Sequence, residues 1–262
     1  MLLLLLPHRR RNPGADMGDR MHSIAVYNLK GGVGKTTSAV NLAWCSAVLS
    51  SRRTLLWDLD PQGAATHLIG NERVVKDEAR SIFARDVAPE KLVRPSQIEG
   101  LDLLAADHSL RGLDRLLFEI GKAKRLKKLL DGLGKTYDRI ILDCPPGLSE
   151  TSDQVLRAAD LVIVPIIPSP LSQRAFVEVQ AYLDGKSGKH APMLPVFVMV
   201  DRRRALHKQA LETYPDWPVI PMASSVERMA EERKPVGAFD PKSPAAQAYA
   251  KLWQGIERKL AG

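Results

Sequence analysis

The sequence predicts an α/β fold, a single domain with a mostly parallel, twisted sheet flanked by helices. Apolar strand-like runs alternate with amphipathic helical stretches from residue 24 to about residue 256, the pattern of repeated βαβ units. The first run, Ser23-Ile24-Ala25-Val26-Tyr27, passes directly into Asn28-Leu29-Lys30-Gly31-Gly32-Val33-Gly34-Lys35-Thr36-Thr37, a glycine-rich turn at a helix start. Length alone does not separate one large domain from two small ones in 262 residues. The apolar segments recur with only short breaks, however, so residues 22–262 read as one domain with a sizeable core.

Each element follows from its local pattern. The run 23–28 is the first strand, and a helix is expected over 36–49. Strands follow at 54–58 and 101–105, then amphipathic helices over 110–120 and 125–133. The second of these helices turns Leu126, Leu129, Leu130 and Leu133 inward, which leaves Lys122, Lys124, Arg125, Lys127 and Lys128 as either a solvated face or a basic track. The apolar run 139–143 is a strand, 151–158 a helix, 161–166 a strand, 172–183 a helix and 194–200 a strand. A helix over 206–212, a short strand over 218–220 and helices over 226–232 and 245–260 complete the order. The last presents Ala248, Tyr249, Leu252, Trp253, Ile256 and Leu260 at helical spacing, which reads as a core-packing face rather than a membrane-binding one.

Composition narrows the function classes. The 38 basic against 30 acidic residues leave a net charge of +8, which favours an anionic partner, nucleic acid or a membrane surface. Aromatic residues make up only 5% and do not interleave with the basic runs, which argues against stacking on single-stranded bases. Cys45 and Cys144 form neither a disulfide framework nor a zinc or iron–sulfur spacing, as suits a reducing cytoplasm. Residues 1–21 are expected to be a disordered extension, with Met17 or Met21 as alternative starts. Its leucines precede the His8-Arg9-Arg10-Arg11 cluster, the reverse of a secretion signal. No apolar run approaches the ~18 residues of a membrane-spanning helix.

The glycine-rich turn has the chemistry of a phosphate cradle. Small residues at Gly31, Gly32 and Gly34 let backbone N–H groups close around phosphates, and the following helix N-terminus adds a favourable dipole. With Val33 in the turn, Lys35 is placed to reach the β/γ-phosphates, and Thr36 to ligate Mg²⁺, with Thr37 beside it. Two other strands end in carboxylates, Asp58-Leu59-Asp60 and Asp143. In an open α/β sheet ligands bind beyond the carboxyl ends of the strands, so these aspartates should gather around the same phosphates. Beside a phosphate loop, Asp143 reads as the Walker B carboxylate that holds Mg²⁺ through water.

The run Lys30-Gly31-Gly32-Val33-Gly34-Lys35-Thr36-Thr37 resembles the deviant Walker A loop of the ParA/MinD branch of P-loop ATPases, and the resemblance spans residues 22 to 260. The first glycine of the ordinary pattern falls on Leu29, where the family most often has glutamine. Lys30 stands as the signature lysine, which in the family crosses a dimer interface to the partner's nucleotide. Asp58-Leu59-Asp60-Pro61-Gln62 is similar to the family's Walker A′ sequence, which implies that Asp60 orients the attacking water and Asp58 lies near the metal shell. Pro221-Met222 replaces the usual Pro-Arg of the adenine-contacting segment. Arg203, flanked by Arg202 and Arg204, stands where ParA proteins carry a DNA-binding arginine.

The resemblance implies a ParA-like ATPase that forms an ATP-sandwich homodimer with Mg²⁺ and binds double-stranded DNA without sequence preference. A ParB-like or other cargo adaptor would stimulate hydrolysis and release. The expected location is the cytoplasm, on the nucleoid, and the cargo a plasmid, a chromosome or a protein cluster. The alternative is a MinD-like membrane-cycling ATPase. A metabolic P-loop enzyme lacks a dedicated substrate-binding constellation in this sequence.

Overall fold

A computed structural model describes residues 20–70, 78–84, 86–120, 124–184 and 190–261. The expected extension therefore lies outside the described residues up to residue 19; Met21 already packs against Gly134. Among the described residues the strands are β1 (His22–Val26), β2 (Thr54–Asp58), β3 (Val93–Pro95), β4 (Leu101–Leu104), β5 (Arg139–Asp143), β6 (Leu161–Ile166), β7 (Met193–Val200) and β8 (Val219–Pro221). They form one sheet in the order β3-β4-β2-β5-β1-β6-β7-β8, parallel throughout except where β3 pairs antiparallel with β4. This is the expected fold class. From β1 the chain passes to β2 on one side, returns through β5 beside β1, and then crosses to β6 on the other side, which puts a topological switch point at the carboxyl end of β1.

Helices cover both faces: α1 (Lys35–Trp44), continued by a π-helical turn over Cys45–Leu49, α2 (Ala64–Ile69), α3 (Ala79–Ala84), α4 (Pro89–Leu92), α5 (Leu113–Ile120), α6 (Arg125–Leu133), α7 (Glu150–Ala158), α8 (Pro170–Asp184), α9 (Ala205–Thr213), α10 (Ser224–Glu227), α11 (Met229–Glu232), α12 (Val236–Phe239) and α13 (Pro244–Leu260). Alternation along β1 shows why both faces are needed. Ile24 and Val26 pack with Leu42, Leu56, Trp253 and Ile256 in one layer, while Ala25 and Tyr27 pack with Leu55, Trp57, Leu130 and Phe197 in the other.

The apolar stripe of α13 is spent inside the fold. Tyr249, Leu252, Trp253 and Ile256 are buried, and the Trp253 indole N–H donates to Ser50 Oγ at 2.8 Å. Among the described residues no helix is long and apolar enough to cross a membrane. The basic cluster before β5 is less continuous than its sequence suggests. Arg125 is buried, with its guanidinium donating to the carbonyls of Ile82 and Phe83 at 2.5 and 3.1 Å, where it satisfies the last turn of α3. Lys127 pairs with Asp131, Lys124 and Lys128 are exposed, and Lys122 lies outside the described residues.

Docking of α12 on α1 is tight. Asn41 Oδ1 accepts from the Val236 N–H at 2.9 Å, and Gly237 lies against the face of Trp44 so closely that a Cβ there would collide with the ring. Gly237→Ala is therefore expected to destabilise the protein by about 1–3 kcal/mol through overpacking, read as a lower urea midpoint at unchanged slope. A midpoint equal to wild type would show that the ring swings aside freely.

Candidate functional site

The phosphate loop is anchored before it turns. Asn28 is buried at the end of β1; its Nδ2 donates to the Pro165 carbonyl of β6 at 2.7 Å and its Oδ1 accepts from the Lys30 N–H at 2.9 Å. Gly32 (φ 71°) and Gly34 (φ 77°) both adopt the left-handed region, which is why glycine stands at these two positions. Val33 is buried between them, while Gly31 and Gly32 are exposed. Helix α1 then starts at Lys35 with no side-chain cap and no acidic residue in its first turn, so its N-terminal N–H groups and positive dipole end meet no competing anion from the helix itself. Such an end suits an anion. Lys35 is buried, and Nζ donates to the Lys30 carbonyl at 2.7 Å. Burial lowers its pKa, and the nearby Asp143 and Asp60 oppose the shift.

Strand register brings the carboxylates to this loop. Val26 lies opposite Asp143 across β1 and β5, and Asp143 lies opposite Asp58 across β5 and β2, so three parallel strands end at one level. Asp58 and Asp143 are both fully buried but differ in how they are satisfied. Asp58 Oδ2 accepts from the Thr66 N–H and hydroxyl, each at 2.8 Å, and Oδ1 accepts from the Asp60 N–H at 3.1 Å. Burial pushes its pKa up to about 6 against the pull of those donors. Neither oxygen of Asp143 has a partner with hydrogen-bond geometry. Burial, then the charge of Asp58, raises its pKa well above the carboxylate range; the facing Thr36 hydroxyl and Lys35 counter part of that.

A buried pair of oxygens without a partner is the donor set a hard cation takes, and Thr36 supplies a neutral oxygen beside it. The residues present thus fit Mg²⁺, with Asp143 the carboxylate available to it and Asp58 largely engaged by Thr66. Asp60 is half-buried on the turn after β2. Its Oδ1 accepts from the Gln62 N–H at 2.9 Å, and Gly63, at φ 64°, closes the turn by donating its N–H to the Asp60 carbonyl.

Several residues that shape the site escaped sequence reasoning. Thr66 fixes Asp58, and the only trace of it in the sequence is a hydroxyl eight positions after a strand-end aspartate. Gly147, at φ 92°, ties the segment after β5 to the phosphate loop: its N–H donates to the Leu29 carbonyl and its carbonyl accepts from the Tyr27 hydroxyl at 2.9 Å. Met199 adopts φ 54° at a register irregularity of β7, and its Cε lies 3.5 Å from where a Cβ on Gly34 would sit. Nothing in an apolar strand sequence announces such a conformation. Pro221 ends β8, and Met222 is 52% exposed with its N–H on the Val200 carbonyl. Arg202, Arg203 and Arg204 form an exposed turn between β7 and α9.

Comparison with known proteins agrees with this geometry. A family model described as "AAA domain" matches residues 21–184. The sporulation initiation inhibitor protein Soj of Bacillus subtilis is 32% identical over 245 residues, covering 87% of this chain and 95% of its own. The chromosome partitioning protein ParA of Caulobacter vibrioides is 32% identical over 248 residues, covering 87% and 91%. Among solved structures, cobyrinic acid a,c-diamide synthase from Mycobacterium smegmatis, with a bound ATP analog and magnesium, superposes with a TM-score of 0.76 at 28% identity, over 91% of this chain and 94% of its own. A phosphate loop with an early lysine, two strand-end carboxylates at its level and relatives matched over nearly their whole length make this chain a member of the ParA/Soj family of P-loop ATPases.

Proposed function

We propose that this protein hydrolyses ATP as a nucleotide-switched homodimer that binds double-stranded DNA without sequence preference and carries a cargo over the nucleoid. A ParB-like or other adaptor selects the cargo and stimulates release. The observation that carries the reading is Asp143, whose two buried oxygens have no partner of full hydrogen-bond geometry and stand at the level of the phosphate loop, facing the Thr36 hydroxyl. Relatives named for chromosome partitioning support the biological half of it.

In this reading the N–H groups of the loop 31–34 and of the first turn of α1 bind the phosphates, and Lys35 exchanges the Lys30 carbonyl for a phosphate oxygen. Lys30 reaches across the dimer to the partner's nucleotide. Thr36, and Asp143 through water, would hold Mg²⁺, which would supply charge neutralisation at the phosphates. Asp60, held by the Gln62 N–H, accepts from and orients the attacking water. Pro221 and Met222 border the adenine, and Arg203 with its neighbours touches DNA phosphates. The buried stripe of α13 leaves the membrane-cycling alternative without that amphipathic face.

Three outcomes test the reading. Asp60→Ala is expected to bind ATP and dimerise yet lose about a hundredfold or more of its turnover, so light scattering reports a persistent dimer while phosphate release stalls. Normal turnover in this variant would assign the water to another residue. Asp143→Asn is expected to trade function for stability. Asp58 and Asp143 hold protons more tightly folded than unfolded, so this pair's contribution to the stability of the nucleotide-free protein is fully present below pH ~4, the unfolded carboxylate range, and is lost as pH rises through the raised folded values, about 6 for Asp58. The asparagine variant should lose less across that window, be more stable at pH 7.5 by roughly 0.5–2 kcal/mol, read as a higher melting temperature, and no longer respond to magnesium with ATP. A lower melting temperature without nucleotide would make Asp143 a structural strut. Arg203→Ala should weaken binding equally to unrelated duplexes and reduce the slope of log K against log salt by about 0.9 for each lost phosphate contact. Unchanged DNA binding with ATP would remove this turn from the DNA surface.

A further inference from the structure

The turn that carries Arg203 also carries its competitor. Arg203 is 89% exposed, yet its guanidinium forks onto Asp201, Nε to Oδ1 and Nη2 to Oδ2, both at 2.9 Å, and its own N–H reaches Oδ1 at 3.0 Å. Asp201 is the fixed half of the pair. Its carboxylate is 16% exposed, its N–H donates to Nδ1 of the buried His207 at 3.0 Å, and its carbonyl accepts from the Arg204 N–H at 3.1 Å. For Nδ1 to accept, His207 must be neutral there, and burial together with Arg204 lowers its pKa accordingly. Other exposed arginine pairs, such as Arg115 with Glu119 and Arg174 with Glu178, span one turn of a helix through Nε, whereas here the fork is closed within three residues.

A guanidinium grips a carboxylate and a phosphate through the same planar, two-point geometry. We infer that Asp201 acts as an internal stand-in for a DNA phosphate: it holds the Arg203 fork in the orientation a phosphodiester needs and withholds it until a backbone phosphate takes the carboxylate's place. The inference rests on the proposed DNA-binding role of this turn. Because the pair faces water it is weak enough to exchange. A carboxylate left behind still repels the incoming phosphate, so one turn binds weakly, and two turns on one duplex bind better by adding their small net gains.

The test is a double-mutant cycle on the full chain, reading affinity for two unrelated duplexes over a salt series with ATP and with ADP. Asp201→Asn removes the charge while leaving the backbone bonds to His207 and Arg204 in place. It should tighten DNA binding about threefold to tenfold in both nucleotide states at a nearly unchanged salt slope, because Arg203 contacts a phosphate in both proteins. Asp201→Ala should move the same way. In an Arg203→Ala background Asp201→Asn should change affinity less than twofold, and Glu212→Gln, an equal charge change on exposed α9, should likewise do little in wild type. Binding unchanged or weakened by Asp201→Asn, or tightened equally without Arg203, would overturn the inference while leaving DNA binding by the turn intact. If Arg203→Ala itself changes nothing, both readings fall.

Discussion

Strand β5 is buried from end to end, and it delivers Asp143 to a place where neither oxygen finds a partner. Burial of Ile140, Ile141 and Leu142 has to offset the cost of that carboxyl group, because a polar group kept from water without full hydrogen bonding opposes folding. The neighbouring Asp58 shows the other solution. It sits at the same level one strand away, and Thr66 closes both its N–H and its hydroxyl onto one oxygen. The first turn of α2 is thereby fixed against β2, and Thr66 extends the link to the Ala106 N–H beyond β4. One carboxylate therefore organises structure and the other is left available, a contrast set by where a threonine falls.

The phosphate loop keeps its left-handed glycines because three neighbours hold it in place. Asn28 binds it to β6, Gly147 to the segment after β5, and Met199 of β7 packs against Gly34. Each contact comes from a different strand. A loop braced in this way has its N–H groups aimed before any anion arrives, so little reorganisation remains at binding.

Much of this was legible in the sequence. The runs 54–58, 139–143 and 161–166 are strands with those bounds, and 125–133 is a helix with those bounds, since each carries an uninterrupted apolar or amphipathic pattern between breakers. The phosphate loop and the strand-end aspartates were equally plain. The elements α2 to α4 and β3 were not, because three to six residues give too short a window for a period to appear and their stability comes from tertiary contact. The stretch 226–232 read as one helix and is two, α10 and α11, with Arg233 at φ 48° closing the second. Arg125 read as one of five surface cations because pattern alone cannot reveal a helix end that needs its donors. The same blindness covered the Asp201 fork on Arg203, where the sequence offers charges but no geometry.

Both margins of the sheet are three-residue strands, and each contains a proline: Pro95 in β3 and Pro221 in β8. Proline has no N–H to offer a newcomer, and a strand this short presents few other groups to pair with. Among the described residues these two strands therefore offer little ladder to a further strand from another molecule. Copies of this chain that come together would on this account meet through loops and helices more readily than by lengthening the sheet at these two strands. An assembly made that way can be taken apart again without breaking a single strand pairing.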